Sequence, residues 1–321
     1  MSALVDIIIV NWNAGVLLRD CLQSIEEARR EGYEFSRVVI VDNASTDGSL
    51  DGLASAALPL QIVRNAENKG FAAACNQGAQ GSHADYLLFL NPDTRLFADS
   101  LAKPLVFMET AQNQAVGICG IQLIDERGEV SRSCARFPTP GMFYSKIFGL
   151  DKFFPRLFQS HFMEEWGHGE NSAVDHVIGA FFFVRRRLFE QLDGFDERFF
   201  VYLEDLDFSR RASLSGWGSY YLADAQAYHK GGGTSDQVKA RRLFYSLRSC
   251  IIYAFKHFNP VWATVVLLTT LFVEPLSRSV LAVSRLSGTS LKETWSAYAM
   301  LYCWLLELYS SKAKQGVDRF S

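Results

Sequence analysis

Clustered cysteines are missing from this chain of 321 residues: its six cysteines (Cys21, Cys75, Cys119, Cys134, Cys250, Cys303) are scattered, with no Cys-X-X-Cys pair and no histidine at zinc-finger distance. That excludes a zinc finger or a thioredoxin-like redox centre, and the cysteines read as buried thiols in a reducing compartment. A basic stretch followed by an apolar one is also missing ahead of the first strand, so no secretory signal is expected and the protein is expected in the cytoplasm. Internal repeats and low-complexity tracts are absent. No apolar run reaches the roughly 20 residues a spanning helix needs; the longest, 261–273, is bounded by Pro260 and by Glu274-Pro275. Nor is there an overall basic charge. The formal net charge is −3, and the Lys/Arg surplus is confined to an apolar tail, which argues against nucleic acid as a partner.

What is present points to a large α/β protein. With 49% hydrophobic and 21% charged residues the chain can bury a sizeable core. From Lys239 onward eleven Lys/Arg face four Asp/Glu, a surplus of seven that leaves about −10 for the rest and implies two surfaces with different partners. Residues 6–11 form a β-branched run, and residues 16–30 place Val16, Leu17, Cys21, Leu22 and Ile25 at helical spacing. The pattern repeats: strand 37–42, polar turn 43–49, helix 50–57, strand 60–64, Ala-rich helix 71–81, strand 86–90. Regular alternation of this kind predicts a parallel sheet that binds nucleotides. Further on, residues 101–110 read as helix, 116–124 as strand, 125–128 as a hairpin turn, 136–169 as a loop-rich excursion, 174–185 as strand and 205–215 as helix, ending at Gly216.

Four stretches carry chemistry. Tyr86 to Leu90 is a continuous apolar strand that Asn91-Pro92 stops, so Asp93 lies just beyond a strand's carboxyl end, where ligands bind in open α/β sheets. Asp42-Asn43 ends an earlier strand, Glu204-Asp205-Leu206-Asp207 opens a helix, and His229 is followed by Lys230-Gly231-Gly232-Gly233. Such a set suits a nucleoside diphosphate bound through a divalent cation, with a separate carboxylate to take a proton from an attacking hydroxyl. Each residue also has a plainer reading. Asp93 can cap a turn, Asp42 can close an Asx turn, Glu204 and Asp205 can favour a helix dipole, Asp207 can pair with Arg210 or Arg211, and His229 can be a buried structural histidine.

The chain resembles the family-2 inverting glycosyltransferases of GT-A fold, in particular the branch of rhamnosyltransferases that assemble bacterial cell-surface polysaccharides such as O-antigen. The resemblance spans residues 6–235 and rests on Ile9-Val10-Asn11-Trp12-Asn13, Val41-Asp42-Asn43 through Gly48, Asn68-Lys69-Gly70-Phe71 through Gly78, Leu90-Asn91-Pro92-Asp93-Thr94, Gly179-Ala180 through Arg186, Phe195-Asp196 through Asp207, and His229 through Ser235. It implies a mainly parallel mixed sheet flanked by helices, with a C-terminal helical extension. It places the nucleotide against Val10, Asn11, Trp12 and Asn13, with Asp42 on the base or ribose and Asn68, Gly70 and Asn91 nearby. Asp93 resembles the metal-binding carboxylate of the family's Asp-X-Asp motif. Asn91 stands at its first position, so fewer charged ligands hold the metal, and Mg2+ versus Mn2+ stays open. His229 resembles a late metal or diphosphate ligand. Asp205 matches the general base, with Glu204 as its neighbour, although the two could trade roles. Trp217 fits an acceptor-site wall or the core.

The resemblance favours dTDP-L-rhamnose as the nucleotide-sugar donor, ahead of UDP-linked galactofuranose, glucose or N-acetylglucosamine, and a saccharide acceptor carried on a polyprenyl diphosphate. A nucleotidyltransferase would need a basic Gly-rich loop after the first strand, which Trp12-Asn13-Ala14-Gly15 lacks. A sugar- or nucleotide-binding module without activity would have no use for the acidic cluster. The expected organisation is a catalytic domain over 1–236, with donor binding in 1–95 and acceptor binding in 96–236, followed by a helical extension over 237–321. Residues 243–308, with Trp262, Trp295, Tyr298, Tyr302 and Trp304 among flanking Lys and Arg, are expected to seat the protein on the inner face of the cell membrane. Packing on the catalytic domain, or a homo-oligomer interface, is the competing reading of the same helices.

Overall fold

The computed structural model describes residues 2–29, 31–53, 57–231 and 238–317, and side chains up to residue 310. Two compact units emerge, one of residues 1–138 with 159–234, the other of residues 139–158 with 235–321.

The first unit is built on a nine-stranded sheet. Its strands are β1 (Ala3–Asn11), β2 (Tyr33–Asp42), β3 (Leu60–Arg64), β4 (Tyr86–Leu90), β5 (Thr94–Leu96), β6 (Val116–Ile124), β8 (Ser172–Val174), β10 (Phe181–Arg185) and β11 (Gly218–His229), while β7 (Cys134–Ala135) and β9 (His176–Val177) pair separately. The order is β3-β2-β1-β4-β10-β6-β11-β5, with β8 alongside β11. β1 to β4 run parallel, β10 is antiparallel to β4 and β6, and β11 is parallel to β6. Alternate side chains of each central strand enter opposite cores: Ile7, Ile9, Leu88, Phe181 and Phe183 on one face, Ile8, Val10, Phe89, Phe182 and Val184 on the other. That two-sided burial is why these strands are continuous apolar runs. Helices α1 (Val16–Glu27) and α3 (Ala102–Glu109) cover the first face, and α2 (Phe71–Ala79), α6 (Arg186–Gln191) and α7 (Glu204–Leu214) the second. Small residues let α2 approach closely: a Cβ on Gly78 would stand 2.5 Å from Ile8 Cγ2.

The second unit contains α4 (Pro140–Phe148), α5 (Leu150–Phe153), α8 (Lys239–His257), α9 (Pro260–Leu268), α10 (Glu274–Ser284) and α11 (Gly288–Val317). Leu247, Ile251, Tyr298 and Leu301 form its main core, and Ala254, Ala263 and Val266 a smaller one with Phe143 and Phe258.

Several expectations are corrected. Residues 50–53 are turns rather than helix, because the Asp47 carboxylate accepts from Ser49 N and Gly15 N and closes the chain locally; residues 54–56 lie outside the described set. The excursion over 136–169 contains α4 and α5, with Pro140 in the first turn and Gly149 left-handed at the junction, both of which are helix-boundary signals. The strand expected over 174–185 is three short pieces, broken at Asp175 and at residues 178–180. Cys303 is exposed and Cys250 half-buried, so not every thiol is in a core. The apolar run 261–273 does not stop at Glu274-Pro275. A π-helical turn, Thr269–Val273, joins α9 to α10, and the Tyr302 hydroxyl donates to the Leu271 carbonyl (2.7 Å), the acceptor that Pro275 leaves without its usual N–H four residues on. The resulting helix, Pro260–Ser284, is 25 residues long, enough by length and composition to cross a bilayer.

Candidate active site

Because β1, β2 and β4 run parallel, Asn11, Asp42 and Leu90 end at one edge of the sheet. Asn11 and Asp42 are direct neighbours, and Asn11 Nδ2 donates to Asp42 Oδ1 (2.7 Å), Ser49 Oγ (2.8 Å) and Ser45 Oγ (3.0 Å). Ser45 N donates to Asp42 Oδ2 at 3.2 Å, three residues on rather than the two of an Asx turn, so Asp42 helps hold the loop after β2 whatever else it binds. Val10 puts its side chain into the core, while Trp12 and Asn13 are half-exposed. Asn13 is pinned to the loop after β2 by its N–H to Ser45 Oγ (2.9 Å) and by its Oδ1 accepting from Thr46 N (2.7 Å).

Asn68 Oδ1 accepts from Gly70 N at 2.9 Å. Gly70 has φ 90° and ψ 170°, a region only glycine occupies comfortably, and a Cβ there would lie 2.4 Å from the Phe200 carbonyl oxygen. Its close approach is therefore to residue 200 of the polypeptide itself. Sequence reasoning missed the amides that hold this corner: Asn43 Nδ2 donates to Gly70 O (3.0 Å), and Asn65 exchanges hydrogen bonds with Asn43 and Gln77. Asn43 and Asn65, each just past a strand end, were the available signal.

Asn91 to Thr94 form a tight turn, closed by Thr94 N on Asn91 O at 3.1 Å, with Pro92 second and Asp93 third. β11 brings His229 opposite Thr94, and His229 Nε2 stands 3.4 Å from Asp93 Oδ1. The two residues singled out as metal ligands thus meet. Both are partly exposed, so a carboxylate oxygen and an imidazole nitrogen face outward together. Gly232 to Ser235 lie outside the described residues. A cavity of about 190 Å³ adjoins Asp93 and is lined by Leu17, Asp20, Arg95, Glu126, Tyr228 and Lys230. Asp20, Arg95, Glu126 and Tyr228 were not singled out from sequence, and β11 itself went unread: Asp224 and Gln226 interrupt its apolar alternation.

The acidic cluster divides sharply. Tyr202 (φ 70°) and Leu203 (φ 66°) are consecutive left-handed residues ahead of α7, a geometry that costs on the order of 1–3 kcal/mol each and aims the first turn of the helix. Asp207 is buried and paired with Arg211 (2.8 Å), as expected. Glu204 is buried too, and its Oε2 has no hydrogen-bond partner among the described residues. Burial first, then the charges of Asp205 and Asp207, push its carboxyl well above the usual range. Asp205 alone keeps a partly exposed carboxylate: Oδ2 accepts from Gly179 N (2.7 Å) and Oδ1 from Leu206 N (2.8 Å). Ala180, next to Gly179, accepts from Asn91 N at 3.1 Å. One two-residue loop therefore ties Asp205 to the turn that carries Asp93. Trp217 packs against the second core, with Arg187 over its ring and its indole N–H on Gln191 (3.0 Å).

The chain is similar in sequence and in fold to known proteins. The sequence model of the family described as "Glycosyl transferase family 2" matches residues 6–193. An N-acetylglucosaminyl-diphospho-decaprenol L-rhamnosyltransferase of Mycobacterium tuberculosis is 25% identical over 280 residues, 82% of this chain and 87% of that one. Rhamnosyltransferase WbbL of Escherichia coli K12 is 28% identical over 171 residues, 53% of this chain and 61% of that one. Among solved structures, a mannosyltransferase of Pyrobaculum calidifontis in complex with GDP-Man and Mn2+ superposes with a TM-score of 0.53 at 18% identity, over 99% of this chain and 81% of that one. TarS 1–349 of S. aureus in complex with UDP-GlcNAc gives 0.55 at 16%, over 92% and 78%. These likenesses agree with the sheet described above: the fold is GT-A-like, mixed and mainly parallel, with a C-terminal helical region.

Proposed function

The chain belongs to glycosyl transferase family 2, and from that premise we propose that it transfers L-rhamnose from dTDP-L-rhamnose, with inversion, onto a saccharide carried by a polyprenyl diphosphate. The observation that carries the reading is the loop Gly179-Ala180, which couples the one partly exposed carboxylate of the acidic cluster to the Asp93 turn at the carboxyl edge of the sheet. The choice of sugar and acceptor is supported by what the relatives in M. tuberculosis and E. coli are named for. Donor binding falls within residues 1–95, along Asn11, Trp12, Asn13, Asp42, Asn68, Gly70 and Asn91. Acceptor binding falls within 96–236, residues 139–158 excepted, since these group with the C-terminal helices.

Asp93 and His229 fit a divalent cation: one hard oxygen and one imidazole nitrogen, both partly exposed, leave most positions to water and diphosphate oxygens, as Mg2+ and Mn2+ prefer. The cation would neutralise charge on the departing diphosphate. Asp205 takes the proton of the acceptor hydroxyl, and the oxygen attacks the anomeric carbon as the bond to the diphosphate breaks. Burial raises the Glu204 carboxyl above its usual range, and Glu204 is less accessible than Asp205, which supports Asp205 as the base. The test is a panel of dTDP- and UDP-sugars with Mg2+ or Mn2+, read by thermal stabilisation and nucleoside diphosphate release. Stabilisation by UDP-sugars alone overturns the rhamnose assignment. Asp205→Asn should lose ~10²–10⁴-fold in kcat with donor binding kept, and near-normal turnover overturns the base.

The helical unit lies on an anionic membrane surface in this reading. Leu268, Phe272, Leu276, Val280 and Val283, spaced at one turn, are 49–70% exposed along one side of Pro260–Ser284, whereas Ala263, Val266, Thr270 and Ala282 are buried on the other. One-sided exposure suits a helix lying in the interface. The protein should float with anionic liposomes, and Phe272→Glu with Leu276→Glu should remain at the bottom of the gradient. Equal flotation of both, or of neither at low salt, counts against membrane seating.

A further inference from the structure

The sheet unit buries two histidines that the sequence reading passed over. His168 is fully occupied: Nδ1 lies 2.9 Å from Trp166 O, and Cys134 N donates to Nε2 at 3.3 Å. His176 is different. It sits on β9, 4% exposed, with its ring against α7. Nδ1 lies 3.0 Å from Ser209 Oγ, and Ser209 Oγ donates to the Asp205 carbonyl at 2.9 Å. A hydroxyl has one hydrogen. The roles of the ring nitrogens depend on the tautomer; with the hydroxyl hydrogen on the carbonyl, the contact to the ring takes the ring's own N–H, the tautomer with hydrogen on Nδ1 and a bare Nε2. Burial keeps the imidazole below its usual protonation range, against the pull of Asp205 and Asp175, so the ring is neutral. The bare Nε2 stands 3.7 Å from Asp205 Oδ2. This is wider than the roughly 2.5–3.0 Å of an O–H···acceptor bond, as two facing lone pairs require.

We propose that His176 is a positioning residue that raises the proton affinity of Asp205, because its Nε2 lone pair opposes the carboxylate and accepts a hydrogen bond from the carboxylic acid. The inference rests on Asp205 as the base and deepens that reading. The acceptor O–H breaks and its proton passes to the Asp205 carboxylate. The oxygen's electron pair forms the bond to the anomeric carbon, the pair of the breaking C–O bond leaves with the diphosphate, and the new O–H on Asp205 points at Nε2. An unassisted aspartic acid, with a pKa near ~3.9, is a weak base at neutral pH, and general bases work best when matched to the working pH. The charged groups that reach His176 are Asp205 from α7 and Asp175 beside it in sequence; Asp205 also faces Glu204, whose carboxyl burial raises.

The experiment uses the full chain. In His176→Leu the lone pair is gone, the carboxylate form of Asp205 is favoured, and the acidic limb of the kcat/KM profile should move down by roughly half a pH unit or more, with a lower plateau and an unchanged donor KM. In parallel, 15N-histidine spectra should show His176 Nε2 without a hydrogen and shifted in Asp205→Asn, whose amide can donate to it. A limb that stays at the wild-type pH, or a hydrogen on Nε2, overturns the proposal. Should the Leu variant not fold, the nitrogen spectrum, assigned through Ser209→Ala, decides alone. If Asp205→Asn retains transfer, it is the base that fails; if it loses transfer while His176→Leu leaves the limb in place, the role of His176 fails alone.

Discussion

Substituting Gly70 by alanine tests whether one backbone contact holds the donor loop and the catalytic helix in a common frame. The added Cβ would meet the Phe200 carbonyl oxygen at 2.4 Å and Phe200 Cα at 3.0 Å. Real Cβ atoms essentially never come within 3.0 Å, so the carbonyl must retreat by at least 0.6 Å. That carbonyl accepts from Phe71 N at 2.6 Å, and the retreat lengthens and weakens the bond, at a cost of up to about 0.5–1.5 kcal/mol net. Holding a non-glycine residue at φ 90°, ψ 170° adds about 1–3 kcal/mol. Gly70→Ala should therefore cost about 1–4.5 kcal/mol in urea unfolding. The displaced residue is two positions before the left-handed pair Tyr202-Leu203, so Asp205 moves with it. Transfer rate should then fall at least tenfold under conditions where the variant remains folded. A variant within about 0.5 kcal/mol of wild type that keeps the wild-type rate would show that residues 68–71 and 200–205 are positioned independently.

The remaining predictions concern charge. Asp93→Ala should abolish the extra thermal stabilisation that Mn2+ adds to donor binding, and His229→Ala should weaken it; a donor complex that still binds the cation without Asp93 refutes the assignment. Glu204 has a folded pKa above the unfolded value of ~4.3, so the native state binds more protons than the unfolded one. The stability it contributes is complete below the unfolded pKa and is lost as pH rises toward the folded one, by at most about 1.4 kcal/mol per pH unit. Urea melts of Glu204→Gln and wild type should consequently diverge from pH 5 to pH 8 in favour of the variant, and parallel curves would mean that Glu204 is ionised.

Strands β1 to β4 were legible because a strand buried on both faces must be apolar throughout, and the residues that stop it must be turn formers. The Asn91-Pro92-Asp93 turn and the acidic opening of α7 were legible for the same local reason. What brings them together was not. β11 carries polar residues at its bulged middle, between Leu222 and Gln226, where the register to β6 shifts, and without β11 nothing placed His229 beside Asp93 or opened the cavity next to it. His176 was hidden because its meaning depends on Ser209 and Asp205, 33 and 29 positions away, meeting it across β9 and α7. The proline at 275 misled because the carbonyl it strands is answered by Tyr302, a remote hydroxyl that local reading does not see.

The loop Gly179-Ala180 has an implication for how enzymes of this design can change. The segments 43–49 and 65–70 are suspended from β2 and β3, at one side of the sheet, while Asp93 and Asp205 are braced against each other across β4 and β10. On the proposed roles, the part that reads the nucleotide and the part that performs the displacement hang from different strands and meet at the backbone contact of Gly70 with residue 200. Exchanging the first for its counterpart from a relative with another donor leaves the second in its original alignment where the glycine at 70 and its contact with residue 200 are kept, so new sugars are reachable by transplanting two short loops around that fixed point rather than by rebuilding the centre.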